Sequence, residues 1–362
     1  MVSSIETIRD SVFGIFYIMT EQNSGLPTNI NYANMRRAVL YLIDAGQVLR
    51  AVLLPQFGWD DGVQKLVRKF DFFGLIFDVV VFPSFPRVPF FFVAVTMTSC
   101  ALLNTVTVMR LFQKGQTSHI WPVMALRLFV TTLVTTFFIT FLRWLLFPID
   151  CHARSSTDTE TISTWLRGDP DATCNPWGGT EVVVTVLSLI LGLVFVIFSL
   201  FTTLLSFEVV PISQSPGNCC TGRIEILWSV VRVMAVLLIY FQQYFSPIGA
   251  LVMIALVQTV VLVYHVQVLP FHDHRFNLLR AGIFSTVWWA AVSSAIVSAL
   301  KAGADLFTVQ WSLLMLTPVF FFGGLCAAQI KKFSVLRLIK RLRVDFSAVS
   351  AAAAAGQTAV EA

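Results

Sequence analysis

Uncharged apolar segments of membrane-spanning length follow one another through most of this chain. Residues 182–207, 281–300 and 306–330 contain no charged side chain, and neither do residues 233–272 if their histidines are neutral. About 20 apolar residues in an α-helix are enough to cross the hydrocarbon core of a bilayer. The pattern therefore predicts a polytopic α-helical membrane protein.

The composition limits what else the chain can contain. Hydrophobic residues make up 56% of it and charged residues only 12%, whereas soluble domains carry about 25% charged residues. So little polar surface excludes a sizeable water-soluble domain. A nucleic-acid partner is also excluded, because no basic soluble surface with interleaved aromatic residues is present.

We predict an all-α fold, in which residues 37–330 form a transmembrane helical bundle of eight or nine spans. A further segment at 70–83 is ambiguous, since its 14 residues suit a half-span or an interfacial helix better than a full crossing. The clear spans are 38–56, 89–112, 121–148, 180–207, 223–245, 247–270, 280–300 and 309–330.

The two ends of the chain differ from the bundle. In residues 1–36, apolar residues recur at helical spacing between charged ones, which predicts either an interfacial helix or a leader helix packed on the bundle. Residues 331–346 predict a basic amphipathic cytosolic helix, and the Ala-rich residues 347–362 predict a disordered tail.

The distribution of positive charge predicts the sidedness of the loops. The basic segment after 330 should be cytosolic, and counting back makes the loops 271–279, 208–222 and 113–120 cytosolic and the loop 149–179 external. The first span is undecided. Arg36 and Arg37 favour an internal N-terminus and eight spans, whereas the basic residues from Arg50 to Lys69 favour an external N-terminus and nine.

Four cysteines lie in the predicted loops. Cys151 and Cys174 flank the external loop, where an oxidising compartment would allow a disulfide; two free thiols are the alternative. Cys219 and Cys220 lie in a cytosolic loop beside a span, which makes them candidates for palmitoylation or two ordinary reduced thiols.

Charged residues within the predicted spans are candidates for a functional or structural polar site. Such charges are costly in a membrane and normally face a cavity or a partner. We single out Asp44, Arg50, Glu225 and Arg232, of which Glu225 and Arg232 lie seven positions apart on one helix face. The site is either functional or a structural interhelical hydrogen-bond network.

The basic segment after the last span is a candidate for contact with anionic lipids of the cytosolic leaflet, although plain topology signalling would explain it as well. Its six cationic residues account for the whole net charge of +5, and they are Lys331, Lys332, Arg337, Lys340, Arg341 and Arg343.

The sequence carries none of the common catalytic signatures, and we expect neither an enzyme nor a cofactor. His272, Asp273 and His274 resemble a fragment of a metal site, but zinc needs a third or fourth ligand in suitable geometry. We therefore expect a cytosolic turn there and no metal.

Five short segments together resemble the transmembrane part of the tiny macrocysts proteins of protists and early-diverging fungi. The similarity extends over roughly residues 10–345. The segments are Ile-Asp-Ala-Gly-Gln at 43–47, Phe-Pro-Ile-Asp-Cys at 147–151, Phe-Glu-Val-Val-Pro-Ile-Ser-Gln-Ser-Pro at 207–216, Leu-Pro-Phe at 269–271 and Asn-Leu-Leu-Arg-Ala-Gly at 277–282.

The resemblance implies a membrane module that continues into a long cytosolic region, often with sensory or signalling domains. This chain departs from the family in its Ala-rich end and in the Gly-Asn-Cys-Cys sequence at 217–220. We therefore expect a non-enzymatic multi-pass protein of the plasma membrane or an endomembrane, acting as the membrane module of a sensor or signalling scaffold. A channel or transporter subunit is the alternative, based on the charged residues within the spans.

Overall fold

The regular structure in the described part of the protein is all helical, which confirms the all-α prediction. The computed structural model describes residues 30–54, 57–60, 62–63, 65–66, 88–114, 120–149, 181–205, 222–241, 246–271, 273–300 and 306–360. Its helices are α1 (Ile30–Val52), α2 (Val88–Gln113), α3 (Ile120–Phe129), a π-helix (Val130–Thr136), α4 (Phe138–Leu146), α5 (Glu181–Leu205), α6 (Arg223–Phe241), α7 (Pro247–Val268), α8 (His274–Ala299), α9 (Leu306–Met315) and α10 (Thr317–Val360).

Within these residues, five helical segments are long and apolar enough to cross a membrane, fewer than the eight or nine spans predicted. They lie in α2, α5, α7 and α8, and in a fifth segment formed by α9 and α10, Thr308–Lys340. The predicted span 121–148 is instead divided into α3, the π-helix and α4. The other two predicted spans correspond to α1 and α6, which carry charged residues. The segment 70–83 and the N-terminal residues 1–29 lie outside the described part.

α8 begins earlier than the sequence suggested. The loop predicted at 271–279 is wrong, because the helix starts at His274. Asp273 is its N-cap and accepts a hydrogen bond from the Arg275 backbone N–H at 2.9 Å, as short polar side chains do at helix starts. Arg280 therefore lies nearly two turns inside a helix and not at a span boundary.

The basic segment 331–346 is not a separate helix. It belongs to α10, which continues for 44 residues from the last span to Val360. The Ala-rich residues, expected to lack structure, are helical as far as Val360. No proline follows Pro318 in this segment, and alanine has the highest intrinsic helix propensity.

α8 is the central helix of the bundle. In an apolar 18-residue stretch of α8, 67% of the residues are buried, compared with 11% in such a stretch of the Thr308–Lys340 segment. α6 and α1 run parallel to α8: Trp228 packs on Phe284 at 5.0 Å between ring centroids, and Trp59 just after α1 donates to Ser294 near the end of α8. α7 and α10 run antiparallel to α8.

Small residues allow α10 to lie against α8. A Cβ added at Gly324 would overlap the carbonyl oxygen of Ala281 and the hydroxyl of Ser285. Ser285 in turn donates to the Phe320 carbonyl at 2.5 Å. Close backbone approach through small residues is the usual way in which membrane helices associate, and it joins α10 to the turn of α8 that follows Arg280.

Candidate functional site

Two ion pairs are buried where α1, α6 and α8 meet. Asp44 of α1 lies 3.5 Å from the Arg232 guanidinium of α6, and Glu225 of α6 pairs with Arg280 of α8. These four residues, here called the charge cluster, are only 4%, 3%, 5% and 0% exposed in that order. Their formal charges cancel. Because removing one member of a buried pair leaves an uncompensated charge, it costs about 3–5 kcal/mol.

α6 supplies one member of each pair because of helix periodicity. Seven residues are close to two helical turns, so Glu225 and Arg232 lie on one face. Trp228 lies between them, and its indole N–H donates to the Asp44 carboxylate at 2.5 Å. The Ser229 hydroxyl accepts a hydrogen bond from Arg232 at 2.6 Å. α6 therefore presents Glu225, Trp228 and Arg232 from three consecutive turns, and the last two hold the Asp44 carboxylate.

Aromatic rings surround the second arginine. The Arg280 guanidinium carbon lies 4.3 Å from the ring centroid of Tyr41, 4.8 Å from that of Phe284 and 5.7 Å from that of Trp228. Desolvated cation–π contacts are worth about 2 kcal/mol or more. Within the described residues, Arg280 Nε and Nη1 have no hydrogen-bond partner, so the rings are the principal compensation for these buried donors.

The charge cluster also holds the π-helix. A π-turn leaves backbone carbonyls without the regular α-helical partner, and such carbonyls must be satisfied inside a membrane. Arg232 donates to the Val134 carbonyl at 3.3 Å, and Gln47 of α1 donates to the Thr136 carbonyl at 2.6 Å. The irregular turn is therefore stabilised by side chains from two neighbouring helices.

His265 and Asn277 fix the start of α8, on the N-terminal side of Arg280. The buried His265 ring is hydrogen-bonded through Nε2 to the Asn277 carbonyl at 3.0 Å. The Asn277 side chain accepts from the Phe271 N–H at 3.0 Å and donates to the Phe271 carbonyl at 2.6 Å. These contacts clamp the tight connection between α7 and α8, one turn before Arg280.

Three of the four predicted intramembrane polar residues come together: Asp44, Glu225 and Arg232. The fourth, Arg50, lies in the last turn of α1, about 9 Å along the helix axis from Asp44 at 1.5 Å per residue. Arg280 was not predicted as a site residue. It stood at the boundary of the predicted span 280–300, where a positively charged side chain can reach the membrane surface and needs no buried partner. Asp273 followed by a polar first turn was the signal for the earlier helix start.

The remaining predicted site residues are only partly described. Cys151, Cys174, Cys219, Cys220 and His272 lie outside the described residues. Of the six basic residues, Lys331 and Lys332 are half-buried, while Arg337 and Lys340 are exposed. Arg341 and Arg343 belong to α10, but their side chains are not described. Asp273 acts as a helix cap.

Comparison with known proteins finds two with similar sequences. The chain is 22% identical to tiny macrocysts protein C of Dictyostelium discoideum over 299 residues, which are 82% of this chain and 20% of that protein. It is 23% identical to tiny macrocysts protein B of the same organism over 323 residues, 86% of this chain and 21% of that protein. The chain thus spans about a fifth of the length of these curated relatives. No family model and no solved structure matches.

Proposed function

We propose that this chain is a non-enzymatic integral membrane protein, the membrane module of a sensor or signalling scaffold. The observation that carries the proposal is a buried charge cluster joined through α8 to a helix much longer than a membrane span. The similarity to two much longer proteins supports a module that works with further cytosolic parts.

The length of α10 suits it to transmit a signal. Its 44 residues extend about 66 Å at 1.5 Å per residue, against a hydrocarbon core of about 30 Å. Since α9 forms the first part of the last span and the basic residues begin at Lys331, about two thirds of α10 projects beyond the membrane. An unbroken helix passes a tilt, rotation or shift at its membrane end to the far end.

The route from the charge cluster to α10 is short. Arg280 belongs to the charge cluster, and the next residue, Ala281, packs its carbonyl against Gly324 of α10. At the start of α8, His274 is hydrogen-bonded to Gln329 of α10 at 2.6 Å. A displacement of α8 by rearrangement of the ion pairs is thereby imposed on α10.

The π-helix is the element we propose to change state. Its freed carbonyls are held by Arg232 and Gln47, and π-turns occur frequently at functional sites. If Arg232 releases Val134 when its pairing with Asp44 changes, the segment can return to α-helical winding. That change rotates α4 relative to α3 and alters its packing on α1 and α6.

The helix directions support eight spans with an internal N-terminus. α1 and α8 run the same way, and α2, α3–α4, α5, α6 and α7 lie between them, which gives the odd number of crossings that parallel helices require. A ninth crossing between α1 and α2 would make α1 and α8 antiparallel. Since the basic residues after 330 favour a cytosolic C-terminus, α1 then begins on the cytosolic side of the plasma membrane or an endomembrane.

In this orientation the basic residues of α10 meet the cytosolic surface. Lys331 and Lys332 lie at the level of the lipid headgroups, where each cation gains about 1 kcal/mol from anionic lipids. Arg337, Lys340, Arg341 and Arg343 follow at increasing distance along the helix. A cytosolic signalling domain or protein is the partner we propose for the projecting end.

The proposal is tested by spin-label distances in the full chain, reconstituted in lipid nanodiscs on a cysteine-free background. Labels at the exposed positions Gln267 of α7 and Ser334 of α10 report the position of α10. Asp44→Asn should shift the distance distribution or add a second population, whereas Asp60→Asn, an exposed acid outside the charge cluster, should not. An unchanged distribution for Asp44→Asn would reject the relay.

A channel or transporter subunit is the second candidate. The observation that favours it is the combination of an irregular helix with buried charges, which in transporters marks a binding site. Purified protein in liposomes should then move an ion or solute, and Arg232→Ala should change the flux. If no ion or solute in a broad panel is transported, and Asp44→Asn shifts the spin-label distance between α7 and α10, the sensor module is favoured.

A further inference from the structure

The part of α10 beyond the bundle, residues 331–349, carries an apolar stripe with a heptad repeat. We call this part the exit helix. Apolar residues recur at intervals of four and three, at Val335, Ile339, Leu342, Phe346 and Val349. A 3.5-residue repeat of this kind is the pattern of a coiled coil, with Ile339 and Phe346 at a positions and the other three at d positions.

Two residues of this stripe, Val335 and Ile339, have described side chains, and both are exposed in the described part of the protein. α8 ends its contact with α10 near Gln329, where His274 is hydrogen-bonded to it. Beyond that level, Val335 and Ile339 are 38% and 52% exposed. Two exposed aliphatic side chains one turn apart on one face are a surface that another helix stabilises by covering it.

The membrane surface is a poor cover for the stripe. α10 continues without a break through this region, so the exit helix leaves the span end-on and does not lie along the headgroups. At 1.5 Å per residue, Ile339 is about 13 Å and Leu342 about 18 Å beyond Ile330. Both distances exceed the thickness of the polar headgroup layer, which is about 5–8 Å on each side of the hydrocarbon core.

A second copy of the chain fits the stripe. Two copies in one membrane share the same orientation, so that a twofold axis along the membrane normal brings their exit helices together in parallel. β-branched residues at a with leucine at d favour two strands. Ile339 followed by Leu342 satisfies this preference. We propose that the exit helix pairs with that of a second copy as a parallel two-stranded coiled coil.

The charges of the exit helix are compatible with this pairing. Arg337, Lys340 and Arg341 occupy f, b and c positions, which point away from the partner helix. Arg343 is at an e position, and leucine, not a second cation, occupies the g position that faces it, residue 338. Lys332 is the one cation at an a position, and it lies beside the membrane surface, where its long side chain can reach the headgroups.

Disulfide crosslinking tests the pairing in membranes that contain the full chain. The six native cysteines are replaced, and single cysteines are introduced as Ile339→Cys, Leu342→Cys, Lys340→Cys or Arg341→Cys. On mild oxidation, the first two variants should form a dimer of twice 40.4 kDa about tenfold faster than the last two, because a and d side chains face each other while b and c do not.

Equal rates at all four positions, or no dimer from Ile339→Cys and Leu342→Cys, would overturn the proposal. A fluorophore at residue 339 that reports burial in anionic vesicles would do the same, since the membrane surface would then cover the stripe. A preferential crosslink between residue 339 and a cysteine in residues 1–29 of the same chain would also overturn it.

A second measurement does not depend on the introduced cysteines. Particle masses in nanodiscs should fall from dimer to monomer for Ile339→Asp with Leu342→Asp, and remain dimeric for Arg337→Asp at the outward f position. The exit helix lies beyond the bundle, so the thermal unfolding of the bundle should be unchanged in both variants. A dimer that survives the paired aspartates would contradict the coiled coil.

The inference needs only that α10 leaves the membrane near Lys331, so it can fail while the sensor proposal stands.

Discussion

The central helix α8 is held on its two sides by different physical means. On the side of α1 and α6 it is held by ion pairs, with Arg280 paired to Glu225 and enclosed by aromatic rings. On the side of α10 it is held by close packing of Gly324 against the Ala281 backbone and of the Phe321 ring against Gly282. The first side depends on charge and tolerates little change in polarity. The second depends on shape and tolerates little added volume.

This difference gives each side a different role. Buried ion pairs have discrete arrangements, because a charge in low dielectric must be either paired or neutralised. Close steric packing, as between α8 and α10, has no such alternatives and transmits a displacement from one helix to the other. α8 therefore combines a side that can rearrange with a side that transmits, and the following predictions test that assignment in order of expected effect.

The largest effect is expected from breaking an ion pair on α8. Arg280→Gln leaves Glu225 buried without its cation, and should lower the free energy of unfolding by about 3–5 kcal/mol. Arg275→Gln, an exposed arginine in the same helix, is the matched control and should change it little. SDS titration in mixed micelles measures both.

A double variant sharpens this result. Glu225→Gln combined with Arg280→Gln removes both charges, so it should recover part of the loss caused by Arg280→Gln alone. A double variant as unstable as the sum of the two single variants would show that the pair is not coupled, and that α8 is held by packing on both sides.

The next largest loss of stability is expected where Gly324 of α10 contacts α8. Gly324→Ala places a methyl group against backbone of α8, and overpacking of this kind costs about 1–3 kcal/mol. Gly323→Ala adds the same group to open space and should gain up to about 1 kcal/mol from the better helix propensity of alanine. Thermal unfolding should therefore shift in opposite directions for adjacent glycines. Equal shifts would mean that α10 is not seated on α8 through Gly324.

An effect of similar size is expected at the π-helix. Gln47→Leu removes the donor to the Thr136 carbonyl, and an unsatisfied buried acceptor costs about 1–3 kcal/mol. Gln267→Leu, at an exposed position of α7, is the control. Amide hydrogen exchange in residues 130–140 should increase for Gln47→Leu only. Unchanged exchange there would indicate that the π-helix needs no support from α1.

The sequence predicted the parts of this architecture that depend on local composition. All-helical structure and the positions of five spans follow from apolar length alone, and the seven-residue spacing of Glu225 and Arg232 placed them on one face. The π-helix was not predictable in this way, because residues 130–136 read as part of an uninterrupted span and the irregular turn depends on Gln47, 89 residues away. The role of Arg280 depends likewise on a helix start set by one cap.

That cap gives the smallest predicted effect and separates the end of α8 from its charged side. Asp273→Ala removes the acceptor for the Arg275 N–H, and loss of an N-cap costs about 1 kcal/mol. Asp273→Asn keeps an acceptor and loses only the favourable interaction of a negative charge with the helix N-terminus, about 0.3–1 kcal/mol. The free energy of unfolding from SDS titration should therefore be higher for Asp273→Asn than for Asp273→Ala. Both variants should be well above Arg280→Gln. If Asp273→Ala were as damaging as Arg280→Gln, the position of α8 would be set at its N-terminal end, and the charge cluster would follow the helix instead of holding it.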